Sequence, residues 1–344
     1  MSADIVIIGA GIVGLSSAYE LSRRGAKVLV LDRGEAGREA SWAGGGILFP
    51  LLPWDYREEV NALASAGAAL YPEFSAALFE ASGVDPEYLK CGMTILPGER
   101  DMRGAASWCE AHDVPFSESG GSFRLPEVAQ LRNPRLIRAL RKTLEGMGVT
   151  LLENREVVSI RRQGEGIAAI ETTGGESHSA AGYVVCAGAW SRDLLEPALP
   201  GPEIFPVKGQ MLLFDAPGLL DTLLLRDEIY LVPRLDGHLL VGSTLEYSGF
   251  DKSVSTELGR SLHEKACAML PGLDRLSPVR QWAGLRPGSP LNVPTICRHP
   301  DASNLYLNCG HFRYGVTMAP ASAKLLASLV LDHAEAPRAY SCKK

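Results

Sequence analysis

Three groups of residues have types and spacings that could do chemistry. The first is Gly9, Gly11 and Gly14, a G-x-G-x-x-G that directly follows the apolar run Ile5 to Ile8. In such a pattern the first glycine allows a tight turn. The second lets the backbone approach a pyrophosphate, and the third lets the next helix pack close to the strand. The helix N-terminus then offers free N–H groups and a partial positive charge to the phosphates. Asp32 ends the next apolar run, Lys27 to Leu31, where a carboxylate can accept hydrogen bonds from ribose hydroxyls. The second group is Gly44, Gly45 and Gly46 beside Ile47 and Leu48, a stretch of backbone that could lie flat against a ring system or be a flexible loop.

The third group is made of arginines in segments where a casual surface charge is out of place. Arg286 lies in Trp282-Ala283-Gly284-Leu285-Arg286-Pro287-Gly288, and Arg313 lies between Gly310 and Gly315. A guanidinium offers a planar fork that grips a carboxylate with two hydrogen bonds. The alternatives are a salt bridge from Arg286 to a nearby acid and a helix-start surface position for Arg313. Tyr230 could give its hydroxyl to the same carboxylate, or be plain strand core.

Elements must bring these groups together. The order strand, glycine turn, helix (Leu15 to Gly25), strand and acid is that of a dinucleotide-binding unit. A long Ala-rich helix follows, before residue 85. Cys91 to Leu96 reads as a strand opening a separate sheet. Asp101 to His112 and Asn133 to Met147 read as helices. Val149 to Leu152, Glu156 to Arg161 and Gly166 to Glu171 read as strands, and Tyr183 to Trp190 as a buried one. Residues 205 to 250 carry hairpin signals such as Asp236-Gly237. Thr256 to Leu270 is an amphipathic helix, Asn304 to Asn308 a strand, and Gly315 to Leu331 the closing helix. No second G-x-G-x-x-G follows a strand, so one dinucleotide is expected. The pattern alone does not separate FAD from NAD, though its place at the N-terminus favours FAD.

Composition narrows the classes. The 344 residues carry 34 Lys plus Arg against 40 Asp plus Glu, a formal charge of −6. That balance argues against nucleic acid as the main ligand, since phosphate binding needs clustered excess cations. The sequence shows no 18-residue continuous apolar run, so no integral membrane segment is expected. Its acidic start does not look like a secretory signal. Seven scattered cysteines without a C-x-x-C exclude a disulfide framework, a zinc ribbon and a redox cysteine pair, and read as reduced cytoplasmic thiols. No metal site is expected.

The segment Glu39 to Leu48 resembles the flavin-contacting loop of the FAD-dependent D-amino acid oxidase family. Trp282 to Gly288 is similar to the W-A-G-L-R-P-G segment of its glycine oxidase branch, which is associated with thiazole formation in thiamine synthesis. Gly310-His311-Phe312-Arg313-Tyr314-Gly315 resembles that branch's G-H-F-R-N-G segment. So do Pro206 to Gln210, Tyr230 to Arg234 and Val241 to Thr244. The resemblance runs from residue 4 to about 332. It departs at Tyr314, where Asn is usual, and at Glu228, where one type of glycine oxidase has a pocket histidine. Both departures put the exact amine in doubt.

The resemblance implies an α/β fold. A Rossmann-like, glutathione-reductase-type FAD-binding domain would take residues 1–85, 134–200 and 290–344. A second, mixed-sheet α+β substrate domain would take residues 86–133 and 201–289. Non-covalent FAD would rest on Gly9, Gly11, Ile12, Val13, Gly14, Asp32, Arg33, Gly44, Gly45, Gly46, Val157, His311, Phe312, Arg313, Tyr314, Gly315, Val316 and Thr317. Arg286, Arg313 and Tyr230 would hold a small amino acid or amine. Its α-carbon would lie over flavin N5 for hydride transfer, with no essential acid or base. Glycine or small D-amino acids would give a 2-oxo acid, ammonia and, with O₂ as acceptor, hydrogen peroxide. The oligomeric state stays open, a homo-oligomer included. Two other readings stand beside this one. One is a D-amino acid or proline dehydrogenase feeding a quinone or partner subunit. The other is a non-catalytic flavin-binding redox module. Covalent attachment through Cys297 is disfavoured by its spacing and neighbours.

Overall fold

The computed structural model describes residues 3–342. Its first sheet has six strands in the order Thr295–Arg298, Leu305–Cys309, Gly182–Val185, Ile5–Ile8, Val28–Leu31 and Thr150–Leu152. Neighbours run parallel except for the antiparallel edge strand Thr295–Arg298. All four residues of Ile5–Ile8 are buried, as a central parallel strand covered on both faces requires. The helix Ile12–Arg23 packs on the last helix, Gly315–Leu331, which in turn packs on the long helix Glu58–Ser82. Leu15, Leu21 and Tyr71 are fully buried in this layer. Each such side chain stabilises the fold by roughly 1.5–3 kcal/mol. The Tyr71 hydroxyl donates to the Val316 carbonyl and so ties the long helix to the start of the last one.

The second sheet has eight strands, in the order Arg280–Gly288, Phe205–Asp215, His238–Gly242, Ile229–Pro233, Leu223–Arg226, Met93–Ile95, Ser122–Leu125 and Ser117–Ser119. It is mixed, because Leu223–Arg226 runs parallel to Met93–Ile95 while the other pairs are antiparallel. In the long pair, Val207 lies opposite Arg286 and Gly209 opposite Gly284. A smaller antiparallel sheet is built on Val157–Gln163 and Gly166–Thr172.

One expectation is corrected. The helix expected from Asp101 spans only Ala105–Ala111. The Asp101 carboxylate accepts from the Arg103 backbone N–H and side chain, which fixes a local turn ahead of the helix. The last helix is long and apolar enough, by length and composition, to cross a membrane. Polar residues such as Thr317, Ser322 and Lys324 interrupt its apolar sequence. Of its apolar stretch, 61% is buried inside the protein, so the helix serves as a core element.

Candidate active site

The phosphate-type cradle is built from close backbone approaches. The Gly9 N–H donates to the Leu31 carbonyl, joining the turn to the end of the second strand. A β-carbon on Gly9 would stand 2.3 Å from the Cys186 carbonyl oxygen, and one on Gly14 would stand 1.9 Å from the Gly9 oxygen. Only glycine lets the helix begin this close to the strand. Gly9, Gly11, Ile12 and Val13 face one large cavity. Gly14 does not face it. It sits one layer behind, where its role is packing.

Asp32 is fixed by backbone donors. Its Oδ2 accepts from Ala10 N–H at 2.7 Å and its Oδ1 from Gly34 N–H at 2.9 Å. Burial raises its pKa, and these two N–H groups oppose the rise. Ser41, within the segment Glu39 to Leu48, was not singled out in the sequence. Its hydroxyl accepts from Ile12 N–H at 2.8 Å, satisfying an orphan donor at the start of the first helix from the loop that carries Gly44 to Gly46. Trp190 was also not foreseen. The Arg33 guanidinium lies 3.5 Å from the centre of its ring, at the same cavity.

The cavity runs on past Gly44, Gly45, Gly46 and Val157 to the stretch His311 to Thr317, and ends at Tyr230, Arg286 and Arg313. The cavity has a volume of about 380 Å³. His311 is buried with its Nε2 unpartnered, and desolvation depresses its pKa to about 3. It is therefore neutral at physiological pH. Asn308 Oδ1 and Arg313 Nε are also buried without partners among the described residues. The residues fit a dinucleotide with an attached ring. A glycine cradle that admits no β-carbon opens the cavity, and unspent polar atoms line its far end.

At that end Arg286 is half-buried, and its hydrogen-bond partners are neutral. Nη2 donates to Ser243 Oγ at 2.6 Å, and Nη1 donates to the Lys208 and Thr244 carbonyls, each at 3.3 Å. Among the described residues no carboxylate pairs with it, so the salt-bridge alternative is not what the structure shows. Burial lowers its pKa, and the nearby Arg313 charge works in the same direction. A partly desolvated cation without an anion carries a cost, so an incoming carboxylate would be favoured here. The adjacent Lys208 ammonium is matched already, 3.2 Å from Glu246 and 3.1 Å from Asp251.

Tyr230 is 9% exposed, and its hydroxyl donates to the Met211 sulfur at 3.4 Å. Met211, Gly209 and Ser243 complete this end of the cavity and were not singled out in the sequence. Burial opposes the charge on Arg313, yet Tyr56, Tyr314 and Glu228 hold its pKa above the ordinary value. Tyr314, one of the two departures, lines the cavity and donates its hydroxyl to the Leu51 carbonyl at 3.3 Å. Glu228, the other, does not line it but stands 3.6 Å from Arg313.

Comparison with known proteins follows the same lines. The profile of the FAD-dependent oxidoreductase family named DAO matches residues 4–329. Glycine oxidase of Pseudomonas aeruginosa is 42% identical over 348 residues, covering 96% of this chain and 95% of that protein. The bifunctional protein ThiO/ThiG of Trichormus variabilis is 31% identical, and there the match spans 98% of this chain but 54% of the relative. The crystal structure of glycine oxidase from Geobacillus kaustophilus superposes with a TM-score of 0.93 at 26% identity, covering 100% of this chain and 99% of that one.

Proposed function

Because the chain belongs to the DAO family of FAD-dependent oxidoreductases, we propose that it oxidises glycine and similar small amino acids at the cavity described above. The overall reaction is oxidative deamination. Amino acid, water and acceptor give a 2-oxo acid, ammonia and reduced acceptor. With O₂ as the acceptor the second product is hydrogen peroxide. Bound in the cavity, FAD supplies the sink for the electron pair removed at the substrate's α-carbon.

The protein's own residues do the holding and tuning. Gly9 and Gly11 with the start of the helix Ile12–Arg23 would take the pyrophosphate, and Asp32 a ribose. Gly44, Gly45 and Gly46 with His311 to Thr317 would border the ring. Arg33 and Val157 would line the nucleotide end. Arg286 would grip the substrate carboxylate with its two terminal nitrogens, Tyr230 would add its hydroxyl, and Arg313 would stand as a second cation. This fixes the α-carbon in one orientation, and orientation is the larger part of what the protein contributes. No side chain is assigned proton abstraction, since burial disfavours the imidazolium that His311 would become and makes it too weak a base. The six-stranded sheet is assigned the cofactor and the eight-stranded sheet the substrate pocket. The seven cysteines are all free thiols, which fits a reducing, cytoplasmic setting. A place supplying an imine or 2-oxo acid to thiazole formation follows from the resemblance to the glycine oxidase branch.

The observation that carries this reading is Arg286, a half-buried guanidinium with neutral partners at the end of a dinucleotide cavity. The test is product analysis in air with glycine. The reading expects glyoxylate, ammonia and peroxide in equal amounts. Glyoxylate made only when an artificial quinone is supplied would replace O₂ with another acceptor.

A further inference from the structure

A four-charge ladder stands beside the substrate end of the cavity. Arg313 Nη2 lies 3.6 Å from Glu228 Oε1, and the same oxygen accepts from Arg100 Nη2 at 2.7 Å. Arg100 Nη1 in turn lies 3.6 Å from Asp55 Oδ2. The ladder runs outward from the cavity: the Arg313 side chain is 19% exposed, Glu228 37% and Arg100 47%. Its formal charges sum to zero. Glu228 sits in the turn between Leu223–Arg226 and Ile229–Pro233, two residues before Tyr230, so the hairpin that places Tyr230 in the cavity also places this carboxylate.

The consequence concerns charge. Arg286 has only neutral partners and can take one carboxylate. Arg313 is already balanced by Glu228. A substrate bearing a second carboxylate would have to displace Glu228 from Arg313 or lie near it unpaired, and like charges in a partly desolvated site are costly. We propose that Glu228 is a specificity-determining residue that restricts the pocket to monocarboxylate amino acids by neutralising Arg313. This rests on the amino acid oxidation reading above. Glu228 acts through Arg313 and by repulsion, without touching a monocarboxylate substrate. Selectivity of this kind comes from the penalty on the wrong ligand.

The experiment uses the FAD-loaded protein and a matched pair of secondary amines, sarcosine and iminodiacetate, which differ by one carboxylate. Glu228→Gln keeps the shape and removes the charge. The ratio of kcat/KM for iminodiacetate to that for sarcosine should then rise by about tenfold or more, the size expected for one partly screened charge. The change should lie in KM for iminodiacetate. Glu228→Asp, which restores a carboxylate, should return the ratio towards the parent's. Should Glu228→Gln not fold, Arg100→Gln gives a second reading. It leaves Glu228 to Arg313 alone, so the ratio should hold or fall. A ratio unmoved in Glu228→Gln, or raised in Arg100→Gln, overturns the proposal while leaving amine oxidation intact. A parent protein inert towards every amine would overturn the functional reading itself, and this inference with it.

Discussion

The guanidinium of Arg286 lies flat against the backbone of Gly209, so close that a β-carbon there would stand 2.2 Å from Nη2 and 2.4 Å from Cζ. The register explains it. Arg286 pairs with Val207, and Gly209 is two residues further along the same face of that strand. A long side chain reaches such a diagonal neighbour. Gly209→Ala should therefore push the guanidinium off its partners. We expect KM for glycine to rise about tenfold or more, with a local overpacking cost of about 1–3 kcal/mol. FAD content should stay at the parent level, because Gly209 is in the substrate-side sheet. Steady-state kinetics with a flavin-to-protein absorbance ratio checks this.

Arg286→Lys tests the fork against the charge. Lysine keeps the cation and loses the planar pair of donors that now meet Ser243, Lys208 and Thr244. A fall of about 100-fold in kcat/KM is expected, equal to about 2.7 kcal/mol of transition-state stabilisation. Arg286→Ala should raise KM further while the purified protein stays yellow. A colourless Arg286→Ala protein would place this residue in cofactor binding or folding instead.

Ser41 links the glycine loop to the cofactor helix through its bond from Ile12 N–H. Ser41→Ala leaves that donor unsatisfied and should cost about 0.5–2 kcal/mol, the range seen for lost helix caps. Thermal unfolding of the FAD-free protein should register the loss. FAD titration should show weaker binding as well, because the same N–H group stands at the cavity.

His311 gives a pH prediction with a definite sign. Its folded pKa, about 3, lies below the ordinary value of 6.5. The unfolded chain therefore binds this proton first as pH falls. The His311 contribution to stability is complete above about pH 6.5 and is lost progressively towards pH 3, by roughly 1.4 kcal/mol per unit in that window. In a His311→Gln variant the acid limb of the stability profile should be shallower between pH 6 and 4. The kcat/KM profile of the variant should keep the parent's shape, since His311 does not titrate between pH 5 and 8 in the folded protein.

Local features of the site were legible in the sequence, and features made by distant pairing were not. Gly9, Gly11 and Asp32 declare themselves because strand, turn, helix and strand follow one another within thirty-odd residues, each with its own signature. The six-stranded sheet is likewise readable in outline from its apolar runs. Gly209, Met211 and Ser243 were silent. Gly209 meets Arg286 through the register of the long strands Phe205–Asp215 and Arg280–Gly288, Met211 meets Tyr230, and Ser243 reaches Arg286 from the end of the strand His238–Gly242; nothing in a single sequence fixes such pairings. Trp190 was hidden in the same way, since its neighbour Arg33 comes from the far side of the first unit. The early start expected for the helix at Ala105 failed because Asp101 and Arg103 close a turn, a local competition that propensity does not resolve.

The central claim is that an amino acid anchored on Arg286 lies within reach of a flavin held by the glycine cradle. Anaerobic titration of the FAD-loaded protein with glycine tests it most directly. The account predicts that the flavin's blue absorbance is lost in the parent protein and far less readily in Arg286→Ala. Absorbance that persists under glycine, sarcosine and D-proline alike would contradict it.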